Sequence, residues 1–398
     1  MEKSVNKRMI AVTVLLLSLM QMAPTGLAPM MSGVSEAFPG ASAESVQFLM
    51  TMSGIFVLVL SLFSAWLLRR FSKKALICTG CLCMITAGIL PVLFHGSMGI
   101  LRVWSSLLGI GMGLVCALAI SLLTDYFDGP KKADLMGIQS AANSFGAMAM
   151  SLAGGVLASA AWYLNYAVLL LVVPGFVCCL LFVPGKKGQE GQRYREEQKI
   201  QISGRLFGYA FTGSLFLFCF NAVPTNLSMF ISENGIGNAA TAGVASAVSL
   251  LGGVLAGTIF GKVDRYLHLY TIPLGFVCLC VGIVGIVGGR SLPFLLMGCL
   301  ISGSAITFTM PQCMMQVTRE VNPTQAAFGA AVMLAGGNLG TFLSPLLSGA
   351  ALRITGKSAV AGRLYVCIGI TLFLGIVYAA AVTAVQKSTV PHREKMVE

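Results

Sequence analysis

The chain has 398 residues, 56% of them hydrophobic and 10% charged, with a mean hydropathy of +0.85. Soluble domains carry roughly 25% charged residues, so this composition excludes a water-soluble fold and makes lipid the solvent for most of the chain. The net charge of +12 does not indicate nucleic acid, because the basic residues fall in short clusters between apolar runs instead of lining one face of a soluble domain.

The N-terminus carries Lys3, Lys7 and Arg8 and then an apolar run from Met9 to Met31. That run is too long for the core of a signal peptide and lacks a small-residue cleavage site. It is read as an uncleaved first membrane helix. A membrane helix needs about 20 apolar residues. Twelve such runs follow one another, at about 9–31, 46–68, 75–94, 101–124, 135–158, 162–184, 206–231, 239–260, 270–289, 292–315, 325–350 and 362–385. The alternating short strands of a membrane β-barrel are absent. The expected fold class is therefore an all-α integral membrane protein with twelve transmembrane helices. The 46 glycines suit such a bundle, since small residues let helices approach closely in lipid.

Of the 26 basic residues, all but Arg102, Arg290, Arg353, Lys357 and Arg363 fall on one side if the N-terminus is cytoplasmic. This positive-inside asymmetry and an even helix count place both termini inside. Residues 185–204 form the one long polar stretch and read as a cytoplasmic linker. It divides the chain into an N-terminal six-helix half, 1–184, and a C-terminal half, 205–398. The twelve cysteines lie mostly inside apolar runs, where they read as small packing residues. No metal site or cofactor is expected.

The halves share a collinear pattern. Gln21, Pro24, Thr25 and Ser32 in the first run match Asn221, Pro224, Thr225 and Ser232 in the seventh, at an offset of 200 (221 minus 21). In the fifth run Gly146, Met150-Ser151 and Gly154-Gly155 match Gly340, Ser344-Pro345 and Ser348-Gly349 in the eleventh, at an offset of 194 (340 minus 146). The turn Arg69-Arg70-Phe71 matches Asp264-Arg265-Tyr266. Two parallel six-helix repeats facing a central cavity are an architecture for alternating access.

With these features the chain resembles the major facilitator superfamily of secondary transporters over essentially its whole length. The resemblance rests on the six-plus-six layout, the basic turn between the second and third runs, its echo between the eighth and ninth, and the Asp125-Tyr126-Phe127 to Met136-Gly137 junction. It implies a rocking two-domain transporter of a bacterial inner membrane with a cavity at the bilayer midplane. Some family positions differ. Ala65 stands where the loop motif has its first Gly, Arg69 at its Asp and Ser72 at its second Gly. Met150-Ser151 replaces the Gly-Pro of the antiporter pattern, which argues against an antiporter label.

Polar residues inside apolar runs are the site candidates, because an unpaired amide in hydrocarbon is costly. On a continuous helix Gln21, Thr25 and Ser32 would form one stripe, and Asn221, Thr225, Ser228 and Ser232 another. Either stripe can line a substrate path or act as helix–helix glue. Arg102, toward the end of the fourth run, either meets substrate or reaches the headgroups. Arg69, Arg70, Lys73, Lys74, Asp125, Asp128, Asp264 and Arg265 are expected to form a cytoplasmic gate. Gly146, Gly154, Gly155, Gly340, Pro345 and Gly349 are expected to serve helix packing. The acidic residues and the three histidines all fall in loops, tails or helix ends, so no mid-membrane group is available to relay protons. Facilitated diffusion, an anionic substrate at Arg102, or a coupling proton or ion at a helix-end carboxylate all stay open.

The expected function is alternating-access transport, with export of small amphipathic organic compounds as the first reading. Import of a small neutral or anionic metabolite is the second. A polytopic membrane enzyme is the alternative of another class, but no acid–base or nucleophile cluster supports it. The expected partners are a small-molecule substrate and the lipid bilayer, with the chain as a monomer.

Overall fold

The computed structural model describes residues 7–127, 129–184, 204–289, 291–320, 326–355 and 359–394. Some helix side chains within these ranges, Arg69 and Asp125 among them, lie outside the description. Every regular element among the described residues is a helix.

The elements are α1 (Lys7–Ser18), α2 (Ala23–Leu27), a 3-10 turn (Ala28–Met30), α3 (Met31–Ala37), α4 (Ala43–Arg70), α5 (Lys73–Leu93) and α6 (Met98–Tyr126). They continue with α7 (Gly129–Ala160), a 3-10 stretch (Trp162–Leu171), α8 (Val172–Phe182), α9 (Gly204–Glu233) and α10 (Ala239–Leu267). A 3-10 turn (His268–Tyr270) precedes α11 (Thr271–Gly288), α12 (Leu292–Arg319), α13 (Ala326–Thr355) and α14 (Ala359–Glu394). Serines start two of the long helices. Ser42 accepts from the Ser45 N–H at 3.2 Å, and Ser72 from the Ala75 N–H at 3.2 Å. Each satisfies one of the donors that a helix start leaves open.

Among the described residues nine helical stretches are long and apolar enough to cross a bilayer, or ten if a bent pair counts as one span. One of the nine, Ala239–Gly288, contains both α10 and α11. Within α13 only the shorter apolar piece Val332–Leu346 is recognised. Large apolar side chains point outward, with Phe211 at 65% and Phe373 at 66% exposure. Such a surface is stable only against lipid. The protein is thus a multi-pass all-α membrane protein.

The first span departs from expectation. It is broken after Ser18, and its parts Lys7–Ser18 and Ala23–Ala37 bend by 42°. Pro24 stands in the first turn of α2, and Pro29 lies in the 3-10 turn that follows. Two prolines five residues apart remove two backbone donors and favour tight turns over a continuous α-helix. Gln21 therefore sits in a turn, and the continuous stripe from Gln21 to Ser32 does not exist. In the sixth predicted run the first half, Trp162–Leu171, is 3-10 rather than α.

The chain forms two compact units. One comprises Met1–Ile200 with Pro224–Ala247, the other Gln201–Val223 with Val248–Glu398. In the first, α6 packs on α4 and α5, and α7 on α1 and α2. In the second, α11 packs on α12 and α14, and α13 on α12 and α14.

The same close crossings occur in both units. A Cβ on Gly109 would stand 2.7 Å from Ser53 Cα, and one on Gly303 2.9 Å from Ser249 Cα. A Cβ on Gly80 would lie 2.8 Å from the Gly111 carbonyl oxygen, and one on Gly275 2.9 Å from that of Ala305. Gly146 meets the backbone of Leu19, and Gly340 that of Ser214. Corresponding positions differ by 194 (303 minus 109) to 196 (249 minus 53) residues. The sequence repeat is thus also a repeat of helix crossings, and glycine stands where two backbones touch.

Gly109→Leu and Gly303→Leu should each destabilise the protein by about 1–3 kcal/mol through overpacking. Thermal unfolding in detergent measures this. Gly369→Ala, where nothing lies within 4 Å of the added carbon, should leave unfolding unchanged. Equal behaviour of the three variants would contradict the repeated-crossing account.

Candidate functional site

The polar residues singled out by the sequence separate into two groups with different partners. The first group lies in the unit that combines the N-terminal residues with Pro224–Ala247. Here Ser228 Oγ is 2.8 Å from the Pro29 carbonyl oxygen and 2.9 Å from Ser32 Oγ. One helical turn on, Ser232 Oγ donates to Glu36 Oε1 at 3.1 Å. Two residues before Ser228, Asn226 Oδ1 accepts from Gln47 Nε2 at 2.6 Å. Asn226 Nδ2 in turn donates to Thr225 Oγ1 at 3.3 Å. Gln47 and Asn226 are fully buried. Small residues extend the contact: Ser151 Oγ donates to the Gly243 carbonyl at 3.2 Å, and a Cβ on Gly155 would lie 2.9 Å from Gly243 Cα.

We call this contact the latch. The second half of α9 and the start of α10 are hydrogen-bonded to the first span, α4 and α7. The partners are 92 to 199 residues apart in sequence. Its position is fixed by rigid neighbours. Trp162 packs against Gly33, with its Cβ 2.5 Å from where a Gly33 Cβ would stand. Trp162 also meets Phe38 edge-on, and His95 stacks on Tyr163 with centroids 4.1 Å apart. Beside this cluster a cavity of about 560 Å³ is lined by Phe38, Pro39, Ser42, Ser45, Met98 and Arg102, among others. Arg102 is exposed there, at the rim and not in a helix interior.

The second group lies in the other unit. Asn221 Nδ2 donates to the Leu217 carbonyl at 2.9 Å and to Thr341 Oγ1 at 3.0 Å. Ser344 Oγ donates to the Phe218 carbonyl at 2.7 Å, and Ser214 Oγ bonds the Gly336 carbonyl. Asn221 and Ser344 thus tie α9 to α13. Among the described residues Gln21, the counterpart of Asn221, has no such tie: its Nε2 is buried without a hydrogen-bond partner there. Thr25 Oγ1 donates to the Met22 carbonyl in its own turn at 2.7 Å.

The expected cytoplasmic gate is described only in part. Asp128 and the side chains of Arg69 and Asp125 lie outside the described residues, as does the Gly349 surface. Arg70 stacks over Trp66, 5.0 Å from the ring centre. Lys74 Nζ donates to the Leu180 carbonyl at 2.7 Å. Asp264 Oδ1 is buried without a hydrogen-bond partner among the described residues, and Arg265 is exposed. Of the packing residues, Gly154 meets the Gly26 backbone, and Asn165 donates to the Gly154 carbonyl at 2.8 Å.

Sequence reasoning passed over Gln47, Asn226 and Glu36 as latch partners. Gln47 and Asn226 are amides inside apolar runs, which was the available signal. It also put Arg363 outside the membrane, yet in α14 this side chain is 3% exposed.

The sequence model of the Major Facilitator Superfamily matches residues 11–345. The chain belongs to that superfamily. Solved transporters share its fold. The nucleoside transporter NupG aligns with a TM-score of 0.75 at 13% identity, over 93% of this chain and 99% of its own. The peptide transporter POT in complex with alafosfalin gives 0.75 at 12% identity, over 94% of each chain. A bacterial homolog of the human lysosomal transporter Spinster, inward-facing and occupied, gives 0.71 at 13%, over 95% of this chain and 97% of its own. No curated protein matches the sequence. This superfamily member is accordingly a membrane transporter for a small-molecule substrate.

Asn226→Leu should destabilise by about 1–3 kcal/mol, because Gln47 is left buried with a donor unmet. The double variant Gln47→Leu/Asn226→Leu should recover most of that loss. Unfolding in detergent tests it. A double variant as unstable as the sum of the singles would contradict a direct bond between the two amides.

Proposed function

We propose that the chain is a secondary transporter working by alternating access, exporting small amphipathic organic compounds. Residues 1–184 and 205–398 are its pseudo-symmetric halves and 185–204 a cytoplasmic linker. It acts as a monomer in the bacterial inner membrane with both termini cytoplasmic, and it performs no covalent chemistry.

The observation that carries this reading is the latch. We read the hydrogen-bonded layer between the end of α9 and the first two spans as a gate across the substrate path. Its bonds are individually weak: polar bonds between membrane helices average about 0.6 kcal/mol. A handful of such bonds can open and close at modest cost, as a gate must. Pro224 marks the place where α9 passes from one compact unit to the other. A proline within a helix removes one backbone bond there and makes it a natural bending point.

The substrate class is read from the apolar side chains packed around the first span and α7. Met20, Met30, Met31 and Met150 are fully buried around the first span and α7, and Met229 nearly so. Unbranched thioethers adapt to differently shaped apolar bodies. Arg102 at the rim and the basic inner face suit neutral or anionic head groups better than cationic ones.

Purified protein in liposomes should take up radiolabelled 4-phenylbutanamide and exchange it for unlabelled compound added outside. Everted membrane vesicles should accumulate it, as export requires. Accumulation only in right-side-out vesicles would reverse the direction. An imposed pH gradient that drives accumulation would identify a coupled proton. Conversion of the compound without translocation would replace the transporter reading by an enzymatic one.

A further inference from the structure

The break in the first span leaves a polar group without a partner where the neighbouring helix does the same. Gln21 lies in the Leu19–Met22 turn, and its Nε2, a hydrogen-bond donor, is buried and unpartnered. Asn143 on α7 has its Oδ1, an acceptor, buried and unpartnered among the described residues. These are opposite halves of a recognition pair.

The two helices place them near each other. Gly146 packs on the Leu19 backbone, and Gly26 packs on Met150 with 3.0 Å between a Gly26 Cβ and Met150 Cβ. Both residue numbers rise together, so the first span and α7 run parallel here. Gln21 lies two residues past the Leu19–Gly146 crossing, and Asn143 three residues before it. At 1.5 Å per residue the two positions are about 8 Å apart along the axis. Long amide side chains can close on one small group across that gap. Irregular backbone at membrane depth is tolerated only where protein or a cavity meets it, and broken helices commonly form substrate sites.

The second unit provides the contrast. Asn221, which corresponds to Gln21, spends its donor on Leu217 and Thr341. Asn338, which corresponds to Asn143 at an offset of 195 (338 minus 143), donates to the Leu334 carbonyl at 3.0 Å. Asn221 ties two helices and Asn338 bonds within its own helix. Gln21 and Asn143 make neither kind of bond with these atoms among the described residues.

We propose that Gln21 Nε2 and Asn143 Oδ1 bind the substrate's head group, and that this group is neutral and carries an adjacent acceptor and donor, as a primary amide or hydroxy-carbonyl does. This rests on the transporter reading and deepens it. Gln21 gives its proton to the substrate oxygen, and Asn143 accepts one from the substrate nitrogen or hydroxyl. A carboxylate would face the Asn143 oxygen, and an ammonium would face the Gln21 donor. Each leaves one buried group repelled or unmet. The neutral pair therefore selects against both charges.

The test uses four compounds with one apolar body: 4-phenylbutanamide, its N,N-dimethyl amide, 4-phenylbutyrate and 4-phenylbutylamine. Purified wild-type protein should bind and transport the primary amide at least tenfold better than the other three. Gln21→Leu and Asn143→Leu should each erase that preference while leaving the unfolding temperature unchanged or raised, since neither atom loses a partner within the protein. Asn221→Leu should lower the unfolding temperature instead. Equal handling of the amide and its N,N-dimethyl form by the wild type would overturn the inference. So would Gln21→Leu or Asn143→Leu variants that unfold early, because the amides would then be structural. Transport of other solutes without amide preference would sink the head-group assignment and leave the transporter reading standing. No transport of any solute would sink that reading itself.

Discussion

Hydrocarbon offers no hydrogen bonds, so each polar group at membrane depth must find its partner inside the protein or in what the protein binds. Most features of this chain follow from that requirement. Helices satisfy their own backbones. Glycine at the repeated crossings lets the backbones touch, as at Gly109 on Ser53 and Gly303 on Ser249. Polar side chains then stand out, because each must be met by name: Asn221 by Thr341, Ser344 by the Phe218 carbonyl, Gln47 by Asn226.

The same requirement separates structure from function among residues of one chemical type. Gln21 and Asn221 occupy equivalent places in the two repeats. One is tied to a neighbouring helix, and the other stands at a break with its donor unmet. The two occupants of this repeated position are bonded differently. The serines are divided too. Ser32, Ser228 and Ser232 face one another and Glu36 across the latch instead of lining an open wall. They were legible as polar stripes, and their meaning depended on which partner each would find.

Membrane class and helical fold were readable from composition and periodicity, because these are properties of single segments, and the superfamily was legible as a resemblance carried by its motifs. The repeat offset even foretold the paired crossings at Gly146 and Gly340. What sequence could not provide was contact across 179 or more residues. Gln47 looks like any isolated amide until Asn226 is placed against it. The break in the first span was half legible: Pro24 and Pro29 signalled irregular backbone, but a continuous stripe through Gln21, Thr25 and Ser32 presumed an unbroken helix. Arg363, counted with the outer charges, is a cation buried in α14.

The central claim is that the Gln47–Asn226 layer must part during each transport cycle. The direct measurement is transport by Gln47→Cys/Asn226→Cys, in a background whose native cysteines are replaced and which still transports, before and after a short thiol crosslinker. The account predicts that crosslinking stops transport and that each single cysteine variant treated alike keeps it. A doubly substituted protein that is fully crosslinked and still transports at the untreated rate would contradict it.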